Sequence, residues 1–551
     1  MKKYFKAILC FALALVMLLS SVSVAFAKTS ATPVVMIHGM GGSGLYHNPN
    51  TDEETPVEGF NIASILGTGG LLSMLLKAAG GNGGSPEAII DAIADFMSPY
   101  VDIACDENGN TTNNVGIKNY WTDSLANHPG YIEDPSSHEP AIAKQICDVI
   151  GAENVFAFNY DWRLDACENA QKLNTFIDGV KVQTGKSKVT IVSASEGTVV
   201  AAAYIDAYKD KNDIERLVFV NGAFNGVNVT KVLKKDFIFD QEIIMNFLRA
   251  FMLNYKSPDT DLTGMKFLIS FMEDYVGNLC DYLNNVVEDP ELVDKVYNDV
   301  LAPLGTIPAM WEFLPYNDFY DAVDAMSDIG FLDTSSGLYD KIVRYHYVQG
   351  RLESNLKELK NKGVDIAIIA NYGIPGIPVT SAYAKQTDYL IDTELASVGA
   401  TVADFGETLN ASGKYVSADG IIDASDCLFP DNTWFVKAVR HVDFWYDSEA
   451  TKFLATLATT STPLDIDSIE KETGVGQFIG TDSSQNIIPV DDSSLAIASA
   501  KKATAGTNAS LVKKSPPTGN TSNILLFAFT VSFVLTSILF ISTGLRKRKA
   551  K

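Results

Sequence analysis

Histidine is scarce in this chain, at six in 551 residues. Chemistry that needs an imidazole therefore has six places to look. Cysteine is equally rare, and the five that follow residue 27 (Cys105, Cys147, Cys167, Cys280 and Cys427) include no C-x-x-C pair. An odd number leaves at least one thiol unpaired within the chain, and neither a disulfide framework nor a zinc site is implied. Positive charge is short as well, with 43 Lys and Arg against 67 Asp and Glu and a formal net charge of −24. Nucleic acid is excluded as a partner, because phosphate binding needs basic patches. No internal repeat is present. The acidity itself serves solubility.

What is present is an ordinary globular balance, 46% hydrophobic and 20% charged, between two ends of a different kind. Residues 1–27 join a basic start (Lys2, Lys3, Lys6) to an apolar run from Ala7 to Leu19 and an Ala25-Phe26-Ala27 cleavage site. This is the layout of a secretory signal peptide, with the mature chain starting at Lys28. At the other end Ser515-Pro516-Pro517-Thr518-Gly519 precedes an apolar run from Ile524 to Ile541 and a basic tail, Arg546-Lys547-Arg548-Lys549-Ala550-Lys551. A basic tail stays in the cytoplasm and leaves everything before the span outside. The arrangement over 515–551 resembles the sorting signal of Gram-positive surface proteins. It implies cleavage between Thr518 and Gly519 by a sortase and attachment to cell-wall peptidoglycan. The alternative is a plain C-terminal membrane anchor, and either reading puts the protein at the cell surface. Residues 461–514, rich in Ser, Thr, Asp, Ala and Lys without periodicity, read as a flexible stalk.

Between the ends, at 28–460, strands alternate with helices. From Thr32 to Ile37 the run P-V-V-M-I is a short buried strand that runs into His38-Gly39-Met40-Gly41-Gly42-Ser43-Gly44. Further strands are expected at Val155 to Tyr160, Lys188 to Val192, Arg216 to Val220, Val364 to Ala370, near Tyr415-Val416, and at Trp434 to Val439. Helices are expected at Ala166 to Thr184, Thr198 to Tyr208 and Ser448 to Leu457. This order predicts an α/β fold with a mostly parallel central sheet. Residues 61–100 form an apolar, glycine-interrupted insertion. Residues 227–347 interrupt the alternation with helical runs, a natural cap.

One stretch carries chemistry. Ser193-Ala194-Ser195-Glu196-Gly197 lies between a predicted strand and a predicted helix, close to the G-x-S-x-G of a nucleophile elbow. A serine there needs a base, a carboxylate to orient the base, and N–H donors for the oxyanion. Only His346 and His441 follow Ser195 in the chain. His346 precedes the late strands, where an interior or surface role is expected, whereas His441 follows the strand at 434–439 and is the expected base. For the acid, Asp419 in Ser417-Ala418-Asp419-Gly420 stands at a predicted strand end, with Asp423, Asp426 and Asp431 as rivals. The oxyanion donors are expected to be the main-chain N–H groups of Glu196 and Met40. Glu196 raises a difficulty of its own, since a carboxylate beside an oxyanion would oppose it.

The segment Asn159-Tyr160-Asp161-Trp162-Arg163-Leu164, with P-V-V-M-I-H-G-M-G-G-S-G before it and A-D-G-I-I and H-V-D-F after it, resembles the lecithin:cholesterol acyltransferase-like family of α/β hydrolases over residues 30–460. The resemblance implies an α/β-hydrolase fold with Ser195 as nucleophile, Asp419 as acid and His441 as base. It also implies that His38, Gly39, Tyr160, Trp162 and Arg163 line or buttress the substrate side. An Asp161–Arg163 ion pair is the structural alternative. The family departs from this chain at His38-Gly39, where it has Pro-Gly, and at Ser193 and Glu196. The expected activity is hydrolysis of carboxylic esters, lipids above all, without cofactor or metal. The alternatives are acyl transfer to an alcohol, and a wall-displayed adhesin on a hydrolase scaffold. Asp106 to Asn110 faintly resembles part of a calcium loop but reads as a turn.

Overall fold

The computed structural model describes residues 31–57, 102–133, 140–245, 280, 284, 287–377, 380–382, 384–441, 449–482 and 486–490. The expected signal peptide, the insertion at 61–100, part of the cap, and the sorting signal all lie outside the described residues. Among the described residues no helix is long and apolar enough to cross a membrane.

Eight strands build the central sheet: β1 (Val34–Ile37), β2 (Val155–Phe158), β3 (Val189–Ala194), β4 (Ile214–Val220), β5 (Asp365–Tyr372), β6 (Thr433–Lys437), β7 (Phe478–Thr481) and β8 (Ile487–Pro489). Their order across the sheet is β8-β7-β6-β5-β4-β3-β1-β2. All neighbours run parallel except β8, which closes the edge antiparallel to β7. The expected mostly parallel α/β sheet is therefore present.

The strands are apolar on both faces because helices cover both. Along β1, Val35 and Ile37 join one core while Val34 and Met36 join the other, the two-residue period of a strand. The first face carries α2 (Ala166–Thr184), α3 (Gly197–Tyr208) and the long α5 (Gly337–Asn361); the second carries α1 (Pro140–Ile150) and α6 (Glu449–Thr459). Helix α2 starts and stops where its sequence dictates. Asp165 accepts from Cys167 N at the start, and Gly185 ends it in a left-handed conformation. The cap packs its own apolar centre around Trp311, Tyr297 and α4 (Phe319–Ser327).

Two expectations of organisation change. The stretch from residue 461 is not stalk throughout, since α7 (Ile466–Thr473) and strands β7 and β8 extend the main sheet to Pro489. Composition hid this, because short strands at a sheet edge need only a few apolar residues, here Phe478-Ile479 and Ile487-Ile488. In addition, Tyr415-Val416 is not a sheet strand; Val416 makes only an isolated bridge to Asp423.

Candidate active site

Because seven strands run parallel, their carboxyl ends share one edge, the position where such sheets gather ligands. Ser195 is the first residue beyond β3. Its φ is +51°, a conformation a serine adopts at a cost of about 1–3 kcal/mol. The turn is forced by packing. A Cβ on Gly197 would stand 2.4 Å from the Ile37 carbonyl oxygen, and one on Gly39 would stand 2.9 Å from the Ser195 Cβ. Glycine at both places lets α3 and the loop after β1 close on the serine. The serine is fixed from beneath, its N–H donating to the Val220 carbonyl at 3.0 Å.

The expected oxyanion donors lie on either side of this turn. Among the described residues, neither the Met40 N–H nor the Glu196 N–H donates a hydrogen bond. The Met40 side chain is buried in the core, so only its main chain is open to chemistry. The Glu196 carboxyl is likewise buried, and burial, then Glu312 and Asp161, push it well above the ordinary carboxylic range. That shift favours its uncharged form, which eases the expected conflict with an oxyanion.

His441 lies four residues beyond β6 and is 4% exposed. Its Nδ1 is 2.6 Å from Asp388 Oδ2, and its main-chain N–H donates to the Asp388 carbonyl at 2.9 Å. Its Nε2 is buried without a partner among the described residues. The other oxygen of Asp388 accepts from the N–H groups of Leu390 (3.0 Å) and Ile391 (2.8 Å), which fixes the carboxylate in a tight turn. One oxygen is thus anchored by the backbone and the other holds the imidazole. This arrangement favours one tautomer, with the proton on Nδ1 and Nε2 able to accept one.

Asp419, the expected acid, does not meet His441. Asp419 receives Lys437 Nζ at 2.8 Å, the Tyr372 hydroxyl at 3.0 Å and the Ser417 hydroxyl at 2.6 Å. Tyr372 and Lys437 face each other in the last rung of β5 and β6, so Asp419 ties two strand ends together. The reason is connectivity. The strand before the histidine strand is β5, so the loop leaving it, which holds Asp388, comes first, while the Asp-Gly turn after Tyr415 only folds back on the strand ends. Nothing but the run Gln386-Thr387-Asp388-Tyr389 following β5 could have signalled Asp388. The rivals also serve structure: Asp423 caps Ser425 N, Asp426 accepts from Thr401, and Asp431 binds Lys414 and Tyr415.

Two asparagines join the serine side of this edge to the histidine side. Asn221, just past β4, donates its N–H to Ile369 and accepts from Asn371 N at 2.9 Å. Asn371 Nδ2 donates to the Val439 carbonyl at 3.0 Å, two residues before His441. The loops that carry Ser195 and His441 are thus referenced to the same pair of strand ends.

The residues expected on the substrate side divide. His38 is buried, stacked on Tyr160 at 4.4 Å between ring centroids, with its Nε2 2.7 Å from the Ser43 hydroxyl. The Tyr160 hydroxyl donates to the His38 carbonyl at 2.8 Å, so these two shape the loop after β1. Gly39 packs directly on Ser195. Trp162 is core. Arg163 is fully buried and does not face a substrate: it pairs with Asp161 at 2.7 and 3.0 Å and donates to the carbonyls of Ile103 and Val115 at 3.1 Å. The structural alternative for this pair is the arrangement observed. His346 is sandwiched between Tyr316 and Phe319, each 4.3 Å away, inside the cap.

Among the described residues no cluster of His, Cys, Asp and Glu is arranged to hold a metal, and Cys105, Cys147, Cys167 and Cys427 are free thiols. Asp106 organises a turn by accepting from the N–H groups of Asn108 (2.9 Å) and Asn110 (2.8 Å). No family model and no curated protein matches the chain. Among solved structures the chain is similar to one titled "The crystal structure of Tle4-Tli4 complex", at 10% identity, covering 78% of this chain and 98% of that chain, with a TM-score of 0.30.

Proposed function

We propose that this protein is a serine hydrolase of carboxylic esters, with an α/β-hydrolase fold capped by the helical insertion and with lipid esters as its substrate class. Ser195 is the nucleophile, His441 the base and Asp388 the acid. The observation that carries the reading is the His441 imidazole, held at Nδ1 by a backbone-anchored carboxylate and unpartnered at Nε2, on the strand edge that also presents Ser195 in a strained turn. In the reaction His441 Nε2 takes the hydroxyl proton as Ser195 Oγ bonds to the ester carbonyl carbon. The oxyanion meets the N–H groups of Met40 and Glu196. The alcohol leaves with the proton from His441, and water then repeats the sequence on the acyl-enzyme.

The resemblance to lecithin:cholesterol acyltransferase-like enzymes and the apolar cap favour lipid esters. Export and wall anchoring, read from the two ends, belong to the same proposal. The test is labelling by a fluorophosphonate together with turnover of p-nitrophenyl esters of short and long acyl chains. Wild type is expected to label and to turn over, and Ser195→Ala to do neither. Equal turnover by both contradicts the reading.

A further inference from the structure

Ser195 and His441 reach the strand edge without a bond between their side chains, since His441 Nε2 has no hydrogen-bond partner among the described residues. Their relative placement is therefore set by the scaffold, and the bonds that set it converge on one residue of β5. The main chain of Ser195 is held on both sides by the turn that leaves β4: its N–H donates to the Val220 carbonyl at 3.0 Å, and its carbonyl accepts from Ala223 N at 3.2 Å. Asn221 lies inside that turn with a φ of +45°. A parallel ladder continuing past Val220 would bring the Asn371 N–H to the Asn221 carbonyl. Asn221 turns away instead, and its side-chain oxygen accepts that bond at 2.9 Å.

The strand on the other side of β5 leaves the sheet in the same way. Ala438, just past β6, has a φ of +58°, and its N–H donates to the Tyr372 carbonyl at 2.7 Å. The next carbonyl, that of Val439, accepts from Asn371 Nδ2 at 3.0 Å, and His441 follows two residues later. The acid loop meets the same residue. Thr393 Oγ1 lies 2.7 Å from the Asn371 carbonyl and 3.0 Å from that of Gln386, two residues before Asp388, and shares its proton between them. Asn221, Asn371 and Thr393 are all buried. A buried amide in a strand costs stability that Val or Leu would keep, and Asn371 Oδ1 has no partner among the described residues to offset it. What the amide supplies is the tie to Val439.

We propose that Asn371 is a positioning residue for the reaction: from one place on β5 it references the loops of Ser195, His441 and Asp388 to one another, and so sets where His441 Nε2 stands relative to the serine. It acts through His441 and not on the substrate. Each of its three bonds reaches a different loop, through Asn221 to the turn that holds Ser195, through Val439 to the residues before His441, and through Thr393 to the residues before Asp388. Two of the loops leave the sheet through non-glycine residues at positive φ, conformations that persist only where neighbouring bonds over-determine them. Displacing a base by about 1 Å costs about 10²-fold in rate, so a tie remote from the ester bond is felt in kcat. The inference rests on the hydrolase reading for its effect on turnover, and does not rest on it for the placement of the imidazole.

The test compares the full chain as wild type, Asn371→Leu and Asn221→Gly by steady-state ester hydrolysis, thermal melting and the downfield proton resonance of the His441–Asp388 hydrogen bond. Asn371→Leu removes the bond to Val439. Asn221→Gly removes the side-chain acceptor while glycine keeps the positive φ without strain, so the inference stays testable if the first variant does not fold. Assayed well below melting, Asn371→Leu is expected to lower kcat by about 10²-fold and Asn221→Gly by about tenfold, with KM within about twofold of wild type. The resonance is expected to move or broaden in Asn371→Leu. Unchanged kcat in both variants overturns the inference, as does a loss in which kcat and KM change together in step with the melting temperature. If wild type has no turnover, the hydrolase reading fails and the resonance decides: a shift in Asn371→Leu supports the positioning role, and an unshifted resonance overturns it.

Discussion

Two buried aspartates follow strand β5, and they do opposite things. Asp388 sits in a turn whose N–H groups occupy one of its oxygens, and it offers the other to an imidazole. Asp419 is surrounded by a lysine, a tyrosine and a serine, and its bonds go to two strand ends, at Tyr372 and Lys437, and to its own turn, at Ser417 and Ile421. Both are 1% exposed. Burial therefore does not separate a functional carboxylate from a structural one; the identity of the partner does. A fixed lysine charge satisfies a carboxylate permanently, whereas a histidine changes protonation during a reaction and gives its carboxylate something to stabilise.

The largest expected effect follows from that difference. Asp388→Asn should lower kcat by about 10⁴-fold, by favouring the wrong imidazole tautomer, with little change in KM. Steady-state ester hydrolysis checks it. Next, Asp419→Asn should leave turnover within about tenfold of wild type and cost about 1–3 kcal/mol of stability in urea, because the charge-assisted bonds of the buried carboxylate to Lys437, Tyr372 and Ser417 are weakened. Lys437→Met should cost a similar amount through the stranded Asp419 carboxylate, and the double variant should cost less than the sum of the singles. A smaller effect is expected at the elbow, where Gly197→Ala must push against the Ile37 carbonyl and should lower both the melting temperature and kcat. The smallest is at the other late histidine. His346→Phe should keep the ring stack with Tyr316 and Phe319 and change turnover by less than about twofold.

The sequence displayed much of this. Helix α2 was legible to the residue because an Asp cap and a Gly stop bracket it. Strands β1 to β5 were legible because burial on both faces makes most of their length apolar and β-branched. Ser195 was singled out by a glycine two residues on, and that glycine is required by the approach of the Ile37 carbonyl. His441 could be found because so few histidines exist. Asp388 could not, since choosing among aspartates requires knowing which loop meets the histidine, and local sequence does not encode that. The same limit hid β7 and β8, whose short apolar pairs become strands only because β6 offers an edge. The upward shift of the Glu196 carboxyl was also invisible, because burial in the fold causes most of it and Glu312, more than a hundred residues away, adds to it.

The account turns on which carboxylate holds the His441 Nδ1 proton, and that proton can be observed directly. In a proton NMR spectrum at low temperature a short imidazole–carboxylate hydrogen bond gives a resonance far downfield of the amide region. The structure predicts that this resonance persists in Asp419→Asn and disappears in Asp388→Asn. Its survival in Asp388→Asn together with its loss in Asp419→Asn would contradict the account.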